Sequence, residues 1–320
     1  MNTINQSLHS VEAFAPATCA NVAIGFDILG FALPALGDRV RLVKREDKKI
    51  VVESIQSPDF LPMSTHKNTA SVVVEKLCRA LNLDTGFSIH IQKGIPVCSG
   101  LGGSAASAIA ALVACNQFLT SPLSLNELAE FALFGEEAAS GEAHYDNIIP
   151  GLYGGLTLIA SQNPIRVIKL PIPELYSVVV HPHLQVSTHE ARQVLKKDIA
   201  LSAYVQQSAK LASFIAALYE KDYSCLCEAL DDRIIEPQRA QFVPGFYEIK
   251  KAALQAGALG MSFSGSGPAL FAFATDAHQA QRVAAAISQS LQQKNITSDY
   301  WVSPISGQAA HVIKETADVC

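Results

Sequence analysis

Pro96-Val97-Cys98-Ser99-Gly100-Leu101-Gly102-Gly103-Ser104-Ala105-Ala106-Ser107 decides the reading of this chain. Ahead of it, Phe87, Ile89 and Ile91 alternate with polar residues as one face of a strand. Behind it, the alanines and serines from Ser104 to Phe118 predict a buried helix able to pack closely on a sheet. Gly100, Gly102 and Gly103 would let the backbone approach a ligand without a Cβ in the way. The helix points its unpaired N–H groups and positive dipole end into the turn, which makes an anion site with phosphate as the expected anion. This is not a Walker loop, which ends Gly-Lys-Ser/Thr. It meets only a loose form of the G-x-G-x-x-G fingerprint, because Ala105 stands at the third glycine. The turn alone leaves an ordinary glycine-rich connection open.

The 320 residues suggest two domains, and 49% hydrophobic composition supplies a sizeable core. Charged residues make up only 17%, the net charge is -5, and no Lys/Arg cluster interleaves with aromatics. Nucleic acid is therefore not an expected partner. The seven cysteines are odd in number, and Cys225 and Cys227 are their one close pair. They read as buried reduced thiols rather than a zinc site or disulfide framework. Met1 to Glu12 is polar and lacks a signal-peptide pattern. No uncharged apolar run reaches the ~20 residues that span a bilayer. The expectation is a soluble, cytoplasmic protein with no membrane partner.

Strands are predicted at 38–45, 49–53 and 87–92, and helices at 68–81, 104–118 and 125–139. Ser124 and Glu127 form a capping box ahead of the last. Gly151 to Gly155 reads as a glycine-rich break before a strand at 156–160. Ser161-Gln162-Asn163-Pro164 then reads as a linker, which divides the chain into 1–163 and 164–320. The second half predicts a strand at 177–181, a helix from His189 capped by Thr188, and a long helix at 204–220. A strand-turn-strand unit around Ser264-Gly265-Ser266-Gly267-Pro268, a helix at 277–292 and a strand at 299–302 close the chain. Strands mixed with helices in both halves make the fold class α+β.

Asn21 and Asp27 are polar residues among apolar and small ones, either local turn-formers or pocket residues. Phosphoryl transfer needs a divalent ion and a carboxylate to hold it, and Glu136 and Glu137 compete for that role. Arg192 and Arg239 each offer a fork suited to a carboxylate or phosphate. Gly265-Ser266-Gly267 lacks the spacing of a hydrolase nucleophile elbow. His181, His183 and His189 show no zinc-ligand motif and read as structural.

Three motifs resemble, in order and over nearly the whole chain, those of the GHMP small-molecule kinases. They are the Pro16–Gly30 segment, the Pro96 turn and Ser264–Pro268. Asn21 to Gly30, His144-x-Asp146-Asn147, Thr188-x-Glu190-Ala191-Arg192 and Glu236-Pro237-x-Arg239 resemble the branch acting on L-homoserine. The resemblance implies a ribosomal S5 domain 2-like N-terminal domain and a C-terminal ferredoxin-like domain, with ATP and substrate between them. It implies that Pro96, Val97, Cys98, Ser99, Gly100, Leu101, Gly102, Gly103, Ser104, Ala105 and Ala106 wrap the triphosphate, with Asn68 and Lys93 at its border. Ser104 and Glu136 would hold Mg2+. Asn21, Asp27, His144, Asn147, Thr188, Arg192 and Arg239 would line the homoserine pocket, Asp27 for the α-ammonium and the arginines for the α-carboxylate. A homodimer is also what the resemblance suggests. Two departures stand out. Gly103 replaces a serine usual in the family, and Asn147 stands where some sibling kinases have an aspartate base. Glu136, Ser104 and Asn147 are then the catalytic set, and whether the adjacent Asp146 acts as a base stays open. A mevalonate- or sugar-type sibling, or an idle relative sensing ATP and a metabolite, are the alternatives.

Overall fold

The computed structural model describes residues 3–141 and 144–317, so Cys320 and the first two residues of the polar N-terminal stretch lie outside it. Two antiparallel strands, β1 (Leu8–Ala20) and β2 (Leu29–Arg45), form the spine of a seven-stranded sheet. β3 (Ile50–Gln56) runs parallel to β4 (Gly86–Gln92), and the chain crosses between them through α1 (Thr69–Ala80). α2 (Gly103–Gln117) is apolar on every side and accordingly buried on every side, from Ala105 to Cys115 with the exception of Val113. It packs against β1, β2, α1 and α3 (Leu125–Ser140). Close approach explains Gly135 of α3, where an added Cβ would lie 2.9 Å from Ala108 Cβ. Ser124 and Glu127 make the expected capping box.

α4 (Tyr145–Tyr153) extends through Gly151, so the supposed glycine-rich break is a helix ending at Gly154. β5 (Leu156–Gln162) follows. Ser161 to Pro164 is not a linker, because β5 turns there into β6 (Ile165–Leu170) and pairs with it in the first sheet. Leu170 and Ile165 bury apolar side chains in that sheet's core, which gives this turn something to fold against. The division after residue 163 therefore falls inside the first sheet rather than beside it.

The second sheet opens with β7 (Tyr176–Pro182). α5 (Thr188–Gln193) is capped by Ser187, one residue earlier than predicted, because Ser187 and Glu190 close a capping box. α6 (Leu201–Glu220), α7 (Tyr223–Ala229), α8 (Glu236–Arg239) and α9 (Phe246–Gln255) lead to β8 (Gly260–Phe263) and β9 (Leu270–Ala274). α10 (Ala277–Gln292) and β10 (Ser298–Pro304) complete an antiparallel sheet of order β10-β7-β9-β8. That β-α-β-β-α-β order is the ferredoxin-like arrangement. The chain does not stop at β10: β11 (His311–Ala317) returns to pair with β1.

The two sheets meet through aromatic rings. Phe31 of β2 lies 5.3 Å from Phe273 and 6.0 Å from Phe271 of β9, centroid to centroid, and all three are buried. Truncating one such ring to alanine costs about 3–5 kcal/mol. Cys19, Cys78 and Cys115 are buried thiols as expected, whereas Cys98 and Cys227 are exposed. Among the described residues no helix is long and apolar enough to cross a membrane.

Candidate active site

A cavity of about 380 Å3 opens between the glycine turn, the loop after β1, the ends of α3 and α4, and α5 and α8. At one end Gly102 caps α2 with no side chain, which leaves the first amides of a 15-residue helix to an anion. The glycines make room for other parts of the protein. A Cβ on Gly100 would lie 2.6 Å from Gly267 O, and one on Gly102 would lie 2.1 Å from Thr18 Oγ1. Both also have positive φ, at 78° and 66°. The late Ser264–Pro268 turn is thus a buttress, with Ser264 Oγ donating to Gly100 O at 2.9 Å and Ala269 N to Ser99 O at 3.0 Å.

Of the residues expected to wrap the triphosphate, Leu101, Ala105 and Ala106 put their side chains in the core, and the other eight reach the cavity wall. Asn68 lines the cavity, but its carbonyl caps α1 by accepting from Ala70 N. Lys93 is nearly buried against Asp38 and also donates to Gly103 O (2.8 Å) and Ser107 Oγ (3.1 Å). It secures the start of α2 and lines the cavity beside it. Asp38 further accepts from the amides of Gly94 and Ile95. Sequence reasoning missed Asp38, whose burial depends on a strand pairing that its own segment does not reveal.

Ser104 Oγ donates to Glu136 Oε1 at 2.6 Å. Glu136 is half-buried with its open side on the cavity, and burial pushes its carboxyl up to about 7 against the lowering effect of Ser104. Its rival Glu137 is exposed and off the cavity. A carboxylate and a hydroxyl at the mouth of an anion site are the oxygen donors that Mg2+ prefers.

The other end of the cavity is built from side chains. Arg192 grips Asp27 in a fork, Nη1 to Oδ2 at 2.8 Å and Nη2 to Oδ1 at 3.1 Å. His144 Nε2 lies 2.9 Å from the same Nη2. Arg239 is buried and donates to Gly265 O (2.7 Å) and Ala191 O (3.3 Å). Burial, then repulsion from Arg192, lowers its pKa to about 10, which leaves it cationic at neutral pH. Both guanidinium groups lie over the Phe26 ring, at 5.0 and 5.4 Å from its centroid. Phe26 and the cavity-wall cation Lys67 are two further site residues that sequence reasoning missed. Only Phe26's position between Asn21 and Asp27 hinted at it.

Asn21 earns its place through local geometry. Its Oδ1 accepts from Asp27 N at 2.9 Å, and its Nδ2 donates to Gly265 O at 3.1 Å. The loop it begins keeps Asn21, Val22, Ala23 and Asp27 at positive φ, a strained path for non-glycine residues. Asn147 Oδ1 accepts from Thr18 Oγ1 at 2.8 Å, and Asn147 Nδ2 lies 3.3 Å from Asp146 Oδ1. Asp146 is buried, and burial followed by the charge of Asp27 pushes it up to about 6. Thr188 is exposed on the rim at the start of α5.

Residues 68–155 match the N-terminal domain of the GHMP kinases, and residues 214–293 match their C-terminal domain. The chain is 41% identical over 319 residues to the homoserine kinase of Chloroherpeton thalassium, covering 96% of this chain and 100% of that one. To the homoserine kinase of Chlorobaculum tepidum it is 42% identical over 324 residues, covering 97% and 100%. A crystal structure of homoserine kinase from Cytophaga hutchinsonii superposes with a TM-score of 0.91 at 43% identity, covering 95% and 97%. Mevalonate kinase from L. major shares the fold at 18% identity, with a TM-score of 0.69 over 97% and 100% of the two chains.

Proposed function

The chain belongs to the GHMP kinases, and from that premise we propose that it transfers a phosphoryl group from ATP to the side-chain hydroxyl of L-homoserine. The products are O-phospho-L-homoserine and ADP, a step towards threonine. The observation that carries this acceptor is the Asp27–Arg192 fork, with Arg239 beside it, in the same cavity as the glycine turn. An α-amino acid brings one ammonium and one carboxylate. Entering between the pair, it gives Asp27 the ammonium and Arg192 and Arg239 the carboxylate, so one ion pair is exchanged for two. A neutral sugar brings neither charge, and mevalonate brings only the carboxylate.

The triphosphate lies along the turn, over the leading amides of α2. Ser104 and Glu136 would hold Mg2+, and the fit rests on their paired oxygens at the cavity and on the half-buried Glu136 carboxyl, which a cation at its oxygens would relieve. When bound, Mg2+ neutralises charge on the phosphate oxygens. Asn147 has no basic atom, and its carbonyl is held by Thr18, so its amide is turned to position rather than deprotonate the hydroxyl. Catalysis therefore rests on alignment and charge neutralisation. The test is ADP release by purified protein with Mg·ATP. L-Homoserine is expected to drive it, and D-homoserine, mevalonate and galactose to give far less. Release that does not depend on homoserine would sink the assignment.

A further inference from the structure

His181, near the end of β7, is 7% exposed, and neither of its ring nitrogens has a hydrogen-bond partner among the described residues. A buried imidazole so placed has given up water and received nothing in exchange, which calls for an explanation. Both ring nitrogens are therefore available to a ligand. His183 lies two residues on, with its ring centroid 5.7 Å from that of His181. Asp299 of β10 is paired in register with His181. One donor atom from each of these three residues lies within 4.8 Å of the other two.

The surroundings are those of a prepared ligand set. His183 Nδ1 shares a hydrogen bond with Thr297 Oγ1 at 2.9 Å, which turns Nε2 toward Asp299 Oδ2, 2.8 Å away. An outer partner fixing one ring nitrogen so that the other can ligate is how metal-bound histidines are held. His181, Asp299 and Thr297 sit on or beside two paired strands, so the backbone fixes their spacing. We propose that His181, His183 and Asp299 form a second metal site, for a divalent transition ion of the Zn2+ type. Two imidazoles and one carboxylate favour Zn2+, Co2+ or Ni2+ over Mg2+ and leave positions for water. None of the three residues lines the nucleotide cavity, so the ion stabilises the edge of the second sheet and takes no part in phosphoryl transfer. The sequence hid this site because its third donor is 116 residues from His183.

The test uses untagged, metal-free protein titrated with Co2+ in excess Mg2+. Visible absorption and the fluorescence of Trp301, the single tryptophan, two residues from Asp299, are followed together. One Co2+ per chain, displaced by Zn2+, is expected. His183→Ala and Asp299→Ala alter exposed side chains and should each weaken binding by more than about tenfold, and Thr297→Val by roughly tenfold. All three should release ADP from Mg·ATP and L-homoserine at the wild-type rate. Zn2+ should raise the melting temperature of the wild type and not of His183→Ala. No saturable binding at one equivalent would overturn the proposal, as would equal affinity in wild type, His183→Ala and Asp299→Ala.

Discussion

The two ends of the cavity solve their problems by different means. The phosphate end is mostly backbone and nearly contiguous, with residues 96–107 supplying the turn and the start of α2, while Asn68, Lys93 and Glu136 join its wall from other elements. The amino-acid end is mostly side chain and is gathered from the loop after β1, α4, α5 and α8. The chemistry explains the contrast. Helix-end amides come with any helix, so a phosphate site can be local. A zwitterion needs opposite charges held side by side, and here Asp27 and Arg192 pair with one another.

The largest expected effect lies at the phosphate end. Glu136→Gln should lower kcat on the order of 10²–10³-fold, with the homoserine KM nearly unchanged, in steady-state assays. A comparable rise in homoserine KM would erase the division between the two ends. On the proposed role, a proton on Glu136 would also compete with the cation, because its carboxyl is pushed up to about 7. Between about pH 8 and about pH 6 the apparent Mg2+ affinity should fall roughly tenfold. The sign for stability is opposite. Between the unfolded value and about 7 the folded carboxyl keeps a proton that the unfolded chain has released, so stability without Mg2+ falls as pH rises through that window.

At the amino-acid end, Arg192→Ala removes one charge-assisted contact, typically ~1.5–3 kcal/mol. Homoserine kcat/KM should drop roughly 10- to 150-fold, with the ATP KM within about twofold. Equal changes in both substrates would contradict the assignment of this end. Asp146→Asn probes the border between the two ends. Positioning predicts a fall in kcat of about tenfold with an unchanged pH profile, whereas a general base would cost 10²–10⁴-fold and remove the acid limb. Gly103→Ser should have the smallest effect. Its backbone needs no positive φ, and a Cβ there meets Ile95 Cγ2 at 3.3 Å, so ATP KM should move less than about threefold.

Much of this contrast was legible beforehand, unevenly. The turn and its helix announced themselves, because glycine spacing and small-residue runs are local signals. What the missing side chains are for was not legible: Gly100 and Gly102 make room for Gly267 and for Thr18 and Asn147, contacts that only the fold supplies. The Asn21–Asp27 loop was visible as a motif, yet its pairing with Arg192 spans 165 residues. Ser161–Pro164 misled, since polar residues ending in proline suit a tight hairpin as well as a linker. β11 escaped notice because it is largely exposed and its partner is β1, at the other end of the chain.

The central claim is that this cavity selects an α-amino acid by both of its charges. The most direct measurement compares kcat/KM for L-homoserine with that for 4-hydroxybutanoate, which keeps the hydroxyl and the carboxylate and lacks the ammonium. A preference for L-homoserine on the order of 100-fold is predicted, because the analogue leaves Asp27 without its cation. Equal values for the two compounds would contradict the account.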